Sequence, residues 1–236
     1  MSGGVIAIDG PSASGKSSTA RAVAEALGFS HLDSGSLYRG VTLVALREAA
    51  RRRQSGGSPL EAVDAETILR AAEDRGLMLQ PDGVGFAAYL EGEPVDTEIR
   101  GADVTRHVSA VSAVPVIREW INSRLRAMVR AGRDVVVDGR DIGTVVFPEA
   151  NLKIFLTATP EARAGRRITQ RGAPVNPQRL EAEAAALEAR DQADSTRAVA
   201  PLRAADDAVP LDTSTMGFAE QVQFIVELAR PRFRRG

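Results

Sequence analysis

The sequence predicts an α/β protein: a parallel sheet flanked by helices, interrupted by a small β-rich insert and followed by a short lid. Three observations carry this. Apolar runs suited to buried strands, at residues 5–8 and 135–137, and a further core strand at 152–156 alternate with stretches of helical periodicity. Between residues 77 and 95 the texture changes to brief apolar segments broken by Pro81-Asp82-Gly83 and Glu91-Gly92-Glu93, the pattern of antiparallel strands joined by tight turns. The length, 236 residues, suffices for one sizeable core carrying an insertion.

In chain order, the first strand ends at Asp9 and gives way to a Gly/Ser-rich turn. Ala20, Val23, Ala24 and Leu27 then mark one face of a helix. Residues 29–33 read as a second strand, and a helix begins near Leu37. This βαβα opening favours a parallel sheet. Residues 51–59, RRRQSGGSP, read as a loop. Ile117, Ile121, Leu125 and Met128 recur at helical spacing, and Gly132 stops that helix before the strand at 134–138. Residues 161–197 are helical in composition, with breaks at Arg171-Gly172-Ala173-Pro174 and at Asn176-Pro177. A strand near 208–211 and a helix using Phe218, Val222, Ile225 and Ala229 close the chain. The expected organisation is a core over 1–50, an insert over 51–113, and a core continuation over 114–236 that includes a lid near 159–178.

Composition removes several classes of function. No apolar run approaches the roughly 20 residues that span a bilayer, and no signal-peptide layout opens the chain, so no membrane partner and a cytoplasmic address are expected. Without cysteine there is no disulfide or thiolate metal site, and His31 and His107 stand apart from each other, each read as a surface or packing residue. A net charge of -1 argues against a nucleic-acid surface and leaves small anions as ligands. A monomer is expected, since no long exposed apolar stripe is evident. Of 30 basic residues only Lys16 and Lys153 are lysine, which singles out both positions.

Gly10-Pro11-Ser12-Ala13-Ser14-Gly15-Lys16-Ser17 matches G-x-x-x-x-G-K-[ST] between a strand and a helix, and Ser18 continues it. Small residues let backbone N–H groups converge on phosphates, and the helix N-terminus adds partial positive charge. Lys16 reaches the outer phosphates and Ser17 can ligate Mg²⁺. The loop alone does not separate kinases from GTPases and ATPases. The N-K-x-D guanine signature is absent, the second lysine lying in Asn151-Leu152-Lys153-Ile154.

The segments GPSASGKSS, LDSGSLYRG, EGEPVDTEIR, VDGRDIGTVVFP, and ARD with STRAVAPL occur in an order that resembles the bacterial cytidylate kinase family over nearly the whole chain. The one local departure, Ser17-Ser18 where some members have Gly-Thr, keeps a hydroxyl for Mg²⁺. The resemblance implies that the insert binds the nucleoside monophosphate and the lid covers ATP. It implies phosphoryl transfer from ATP, with Mg²⁺, to CMP and dCMP, and it makes Lys16, Arg39 and Arg140 the catalytic cations.

Read from the residues, Ser34, Tyr38 and Arg39 lie just past a strand end, where α/β proteins place ligands, though Arg39 reads equally as a solvated helix arginine. Asp138, Arg140 and Asp141 follow the strand at 135–137; Asp138 reads as a metal-supporting carboxylate and Asp141 alternatively as a plain loop residue. Arg190, Asp194 and Arg197, at i, i+4 and i+7, share a helix face, which by itself describes a salt-bridge ladder. The resemblance assigns Arg39 and Arg140 to the monophosphate, Ser34, Arg118, Asp141 and Arg197 to the base, and Arg190 and Asp194 to the ribose. Two alternatives remain at this stage: a kinase for UMP, AMP or a non-nucleotide acceptor, and a noncatalytic ATP-binding regulator.

Overall fold

The computed structural model describes residues 3–52, 63–130 and 132–233. Most of the loop expected at 51–59 therefore lies outside the described residues. The chain forms two compact units, Met1–Leu32 with Val129–Gly236, and Asp33–Met128.

In the first unit the strands β1 (Val5–Asp9), β2 (Ser30–Asp33), β6 (Val135–Gly139), β7 (Leu152–Thr157) and β8 (Val209–Asp212) make one sheet in the order β2-β6-β1-β7-β8. β1 lies at its centre, parallel to both neighbours, with Ile6 opposite Val136 on one side and Leu152 on the other. Ile6, Ala7, Ile8, Val136 and Val137 are fully buried, as central parallel strands covered on both faces require. The helix α1 (Lys16–Leu27) turns Ala20, Val23 and Ala24 inward and packs on β6 and on α9 (Phe218–Ala229), which buries Ile225, Val226 and Ala229.

The helical stretch expected at 161–197 is two helices, α7 (Pro160–Gln170) and α8 (Pro177–Thr196), packed on each other. Each opens with proline, whose missing N–H costs nothing in a first turn. Thr159 and Asn176 supply the caps, accepting from the amides of Ala162 at 3.3 Å and Arg179 at 2.9 Å.

The second unit holds the antiparallel sheet anticipated at 77–95, with β3 (Met78–Asp82), β4 (Gly85–Leu90) and β5 (Glu93–Pro94) in consecutive order. Around it are α2 (Ser34–Arg52), α3 (Ala65–Asp74), α4 (Asp96–Ile99), α5 (Ala102–Ser112) and α6 (Pro115–Arg130). α2 starts three residues before the Leu37 expected from periodicity. The Asp33 carboxylate explains this: it accepts from the Gly35 amide at 2.9 Å and the Ser36 hydroxyl at 3.2 Å, satisfying donors that a helix start leaves without partners. At its other end α2 continues through Arg51 and Arg52, into the segment read as loop. Among the described residues no helix is long and apolar enough to cross a membrane.

β1 leads directly into Gly10, whose φ of 152° favours glycine, and whose Cβ, if it had one, would stand 2.1 Å from the carbonyl oxygen of Leu156 in β7. The loop after β1 can leave the sheet only because nothing projects there. Gly10→Ala should cost more than about 3 kcal/mol of stability, read as a fall in the thermal or urea midpoint. A midpoint matching the parent protein would show that the loop can shift to make room.

Candidate active site

The residues after β1 wrap the start of α1. Ala13 adopts a φ of 58°, uncommon for a residue with a side chain, and Gly15 one of 96°. No side chain caps α1 and its first turn holds no acid, so its N-terminal amides are left to the loop and to anions. Lys16 is buried and donates from Nζ to the Pro11 carbonyl at 2.5 Å. Burial, and then the nearby Arg140 guanidinium, push its ammonium well below the usual lysine range. A phosphate oxygen beside it would favour the charged form.

Ser17 is exposed, and its hydroxyl donates to Asp138 Oδ2 at 2.6 Å. The other oxygen of Asp138 lies 2.7 Å from Nε2 of the buried His31. Burial raises the Asp138 pKa, but the bonds from His31 and Ser17 with the Lys16 charge outweigh it and leave the group below the ordinary aspartate value. An ionised carboxylate only accepts, so His31 Nε2 carries the proton in that contact. Among the described residues no three His, Asp or Glu side chains gather to hold a metal by themselves. Ser17 and Asp138 nonetheless offer adjacent hard oxygen donors, which suits Mg²⁺, an ion that completes its shell with phosphate oxygens and water.

Asp9, the last residue of β1, is buried, and its two oxygens accept from the amides of Ile142 at 2.8 Å and Gly143 at 2.7 Å. Those amides open a short π-helical turn, Ile142–Val146, directly after Arg140 and Asp141. Burial raises the Asp9 pKa to about 6 despite the two amides.

Arg140 bridges two elements, its Nε donating to Asp194 Oδ2 at 3.0 Å and its Nη2 to the Ser12 hydroxyl at 2.9 Å. Arg197 lies beside both Asp141, at 3.7 Å, and Asp194, at 3.9 Å, while its Nε donates to the Ala200 carbonyl at 2.6 Å. Asp194 thus faces Arg197 along its own helix and Arg140 from outside it, so a ladder along α8 describes only part of its surroundings. Arg190 Nε has no hydrogen-bond partner among the described residues. Burial and Arg140 lower its pKa to about 10, so it remains charged.

From α7, Arg163 donates to the Ser12 carbonyl at 3.1 Å and Arg166 to the Ser14 carbonyl at 3.2 Å and the Thr213 hydroxyl at 3.0 Å. Arg166 and Arg167, with Gly15, Thr19, Met216 and Phe218, line a pocket of about 440 Å³ beside the loop. Periodicity gave no way to choose among the arginines of α7; their contacts with loop carbonyls do.

In the second unit Ser34 and Tyr38 are buried on α2, and the Arg118 guanidinium stacks over the Tyr38 ring with 5.3 Å to its centroid. Arg118 also donates to the Ser112 carbonyl at 2.9 Å. Arg39 is not a freely solvated helix arginine, because it donates to the Ile99 carbonyl at 3.1 Å and the Thr105 hydroxyl at 2.9 Å.

A parallel sheet whose central strand runs through this loop into a buried lysine and an uncapped helix is the phosphate-binding core of a P-loop protein. The family model "Cytidylate kinase" matches residues 6–231. Among curated relatives, a cytidylate kinase of Mycolicibacterium paratuberculosis is 46% identical over 97% of this chain and 96% of its own length. One of Rhodococcus opacus is 43% identical over 92% and 91%, and one of Chloroherpeton thalassium 42% identical over 95% and 92%. The chain belongs to the cytidylate kinase family and is an enzyme, a kinase.

The Asp9 pKa sets a pH signature. A carboxyl whose folded pKa exceeds its unfolded 3.8 stabilises the fold fully below that value, and the contribution is lost as pH rises through about 6. Between pH 4 and 7 the parent protein should therefore lose about 2 kcal/mol relative to Asp9→Asn, whose side chain does not titrate. Urea unfolding of both proteins across that range checks it; a constant difference would place the Asp9 pKa near its ordinary value.

Proposed function

We propose that the protein transfers the γ-phosphoryl group of MgATP to CMP and dCMP, giving ADP with CDP or dCDP. The observation that carries this reading is the Arg140 guanidinium, shared between Ser12 of the phosphate loop and Asp194 of the Asp141–Arg197 cluster within one unit. Family membership supports the acceptor class.

In this reading the loop amides of residues 10–18 and Lys16 hold the donor phosphates. The pocket walled by Met216 and Phe218 takes the adenine, with Arg166 and Arg167 at its polar side. Ser17 and Asp138 would hold Mg²⁺, which bound there supplies charge neutralisation to the phosphates. Arg39 and Arg140 grip the acceptor monophosphate, where a planar guanidinium binds two oxygens at once. Arg190 and Asp194 serve the ribose. Ser34, Tyr38, Arg118, Asp141 and Arg197 serve the base: a carboxylate accepts from the cytosine amine while arginines donate to O2 and N3. Uracil carries a carbonyl where cytosine has the amine, and so would set acceptor against acceptor, at about 1–3 kcal/mol.

The acceptor oxygen is already anionic, so no general base is required, and positioning with charge stabilisation supplies the rate. The same reading makes residues 51–113 the acceptor insert and 159–178 the lid, in a monomeric, cytoplasmic enzyme without nucleic-acid or membrane partners.

A coupled assay of ADP formation with CMP, dCMP, UMP and AMP tests the function. Turnover with CMP and dCMP, slower turnover with UMP and none with AMP is the expected order. ADP release independent of any acceptor, or AMP as the best acceptor, would overturn it. Asp141→Ala should narrow the CMP over UMP preference by about tenfold or more in kcat/KM; an unchanged ratio in a folded variant would remove Asp141 from base selection.

A further inference from the structure

Ser12 is 3% exposed, and each of its polar groups is taken by a different element of its unit. Its hydroxyl accepts from Arg140, after β6, and its carbonyl accepts from Arg163, on α7. Its amide donates to Asp191 Oδ1, on α8, at 2.8 Å. The second oxygen of Asp191 accepts from the same Arg163 guanidinium. Asp191 stands in the segment Ala189-Arg190-Asp191, whose arginine has a proposed ligand role while its aspartate has none.

A carboxylate in this position repels the polyanion that the loop is to receive, although it also favours the charged form of Lys16. Arg163 offsets that charge, so the pair adds little net field. What the carboxylate adds is geometry. A charge-assisted bond from a buried amide to a side chain anchored on another helix fixes one peptide plane in the middle of a Gly/Ser-rich loop. Loops of this composition otherwise lose much backbone entropy on ordering, and a fixed loop has that entropy removed before the ligand arrives.

We propose that Asp191 is a positioning residue that braces the phosphate loop through the Ser12 amide and so preorganises it for the donor nucleotide. The proposal rests on residues 10–18 being the donor site. Two ligand-independent and ligand-dependent measurements separate its failure from the failure of that reading. In the ligand-free protein, hydrogen exchange of the peptide covering residues 10–18 should quicken by about tenfold in Asp191→Ala and stay within about threefold of the parent in Asp191→Asn, whose amide oxygen still accepts from Ser12. Calorimetric binding of ADP should weaken by about tenfold in Asp191→Ala and about threefold or less in Asp191→Asn, while CMP binding to the free enzyme stays within about threefold in both.

Asp191→Ala leaves a buried guanidinium without its counter-charge. The double substitution Asp191→Ala/Arg163→Ala removes that liability together with the Arg163 bond to the Ser12 carbonyl, and should show exchange and a loss for ADP at least as large as in Asp191→Ala. Unchanged exchange in folded Asp191→Ala or in the double variant overturns the brace, as does an equal loss for ADP and CMP. Failure of Asp191→Asn to rescue overturns it too, since charge rather than the bond to Ser12 would then be at work. A parent protein that binds CMP but not ADP would instead overturn the donor-site reading, and the exchange result would still judge the brace.

Discussion

The Asp9 carboxylate accepts the amides of Ile142 and Gly143, and this contact joins the two segments on which the chemistry is built. Gly10 follows Asp9 in the chain and begins the phosphate loop; Asp141 precedes Ile142 and ends the Gly139-Arg140-Asp141 turn. The parallel register already sets Asp9 opposite Gly139. The side chain then closes the remaining freedom, so that the loop and the turn leave the carboxyl edge of the sheet as one piece. Holding an ion with a raised pKa of about 6 in a dry place is costly; the gain is that Arg140 and Lys16 keep a fixed separation.

Around that anchor the first unit concentrates positive charge. Arg140 is a cause of lowered pKa for Lys16, Arg167 and Arg190 alike, after burial in each case for Lys16 and Arg190, and after burial and Arg171 for Arg167. Asp141, Asp191 and Asp194 hold the guanidiniums in set directions. Cations pressed together in a low-dielectric site are favourable only when an anion arrives between them, which is the electrostatic condition of phosphoryl transfer.

The sheet strands were legible because β1 and β6 open as continuous apolar runs and β7 is apolar apart from Lys153 and its closing Thr157, and the phosphate loop because its signature is contiguous. The small antiparallel sheet followed from its turn residues. The helices α3 and α5 escaped because turn signals dominated the reading of that region, although Ile68, Leu69 and Ala72, and Val104, Val108 and Val111, are spaced to bury one face. Three contacts at the site had no local signature at all: His31 with Asp138, Ser12 with Asp191, and Arg163 with Ser12 join residues 107, 179 and 151 positions apart. Only the packed sheet brings them together. Asp194 shows the same limit in part, since helical spacing placed it with Arg197, which it does approach, but gave no sign of Arg140, its closer partner from after β6.

Lys153, the second lysine of an otherwise arginine-using chain, is buried in β7 and reaches Asp207 at 2.8 Å. Its methylene stem passes so near Gly143 that a Cβ there would lie 3.1 Å from Cδ. Gly143 is also the residue whose amide the Asp9 carboxylate holds, and the same Cβ would stand 3.4 Å from that carboxylate. Its bare backbone thus serves as a shared clearance, which lets the carboxylate close on the turn and the lysine stem pass beside it, so that one methyl group at this position would press on both.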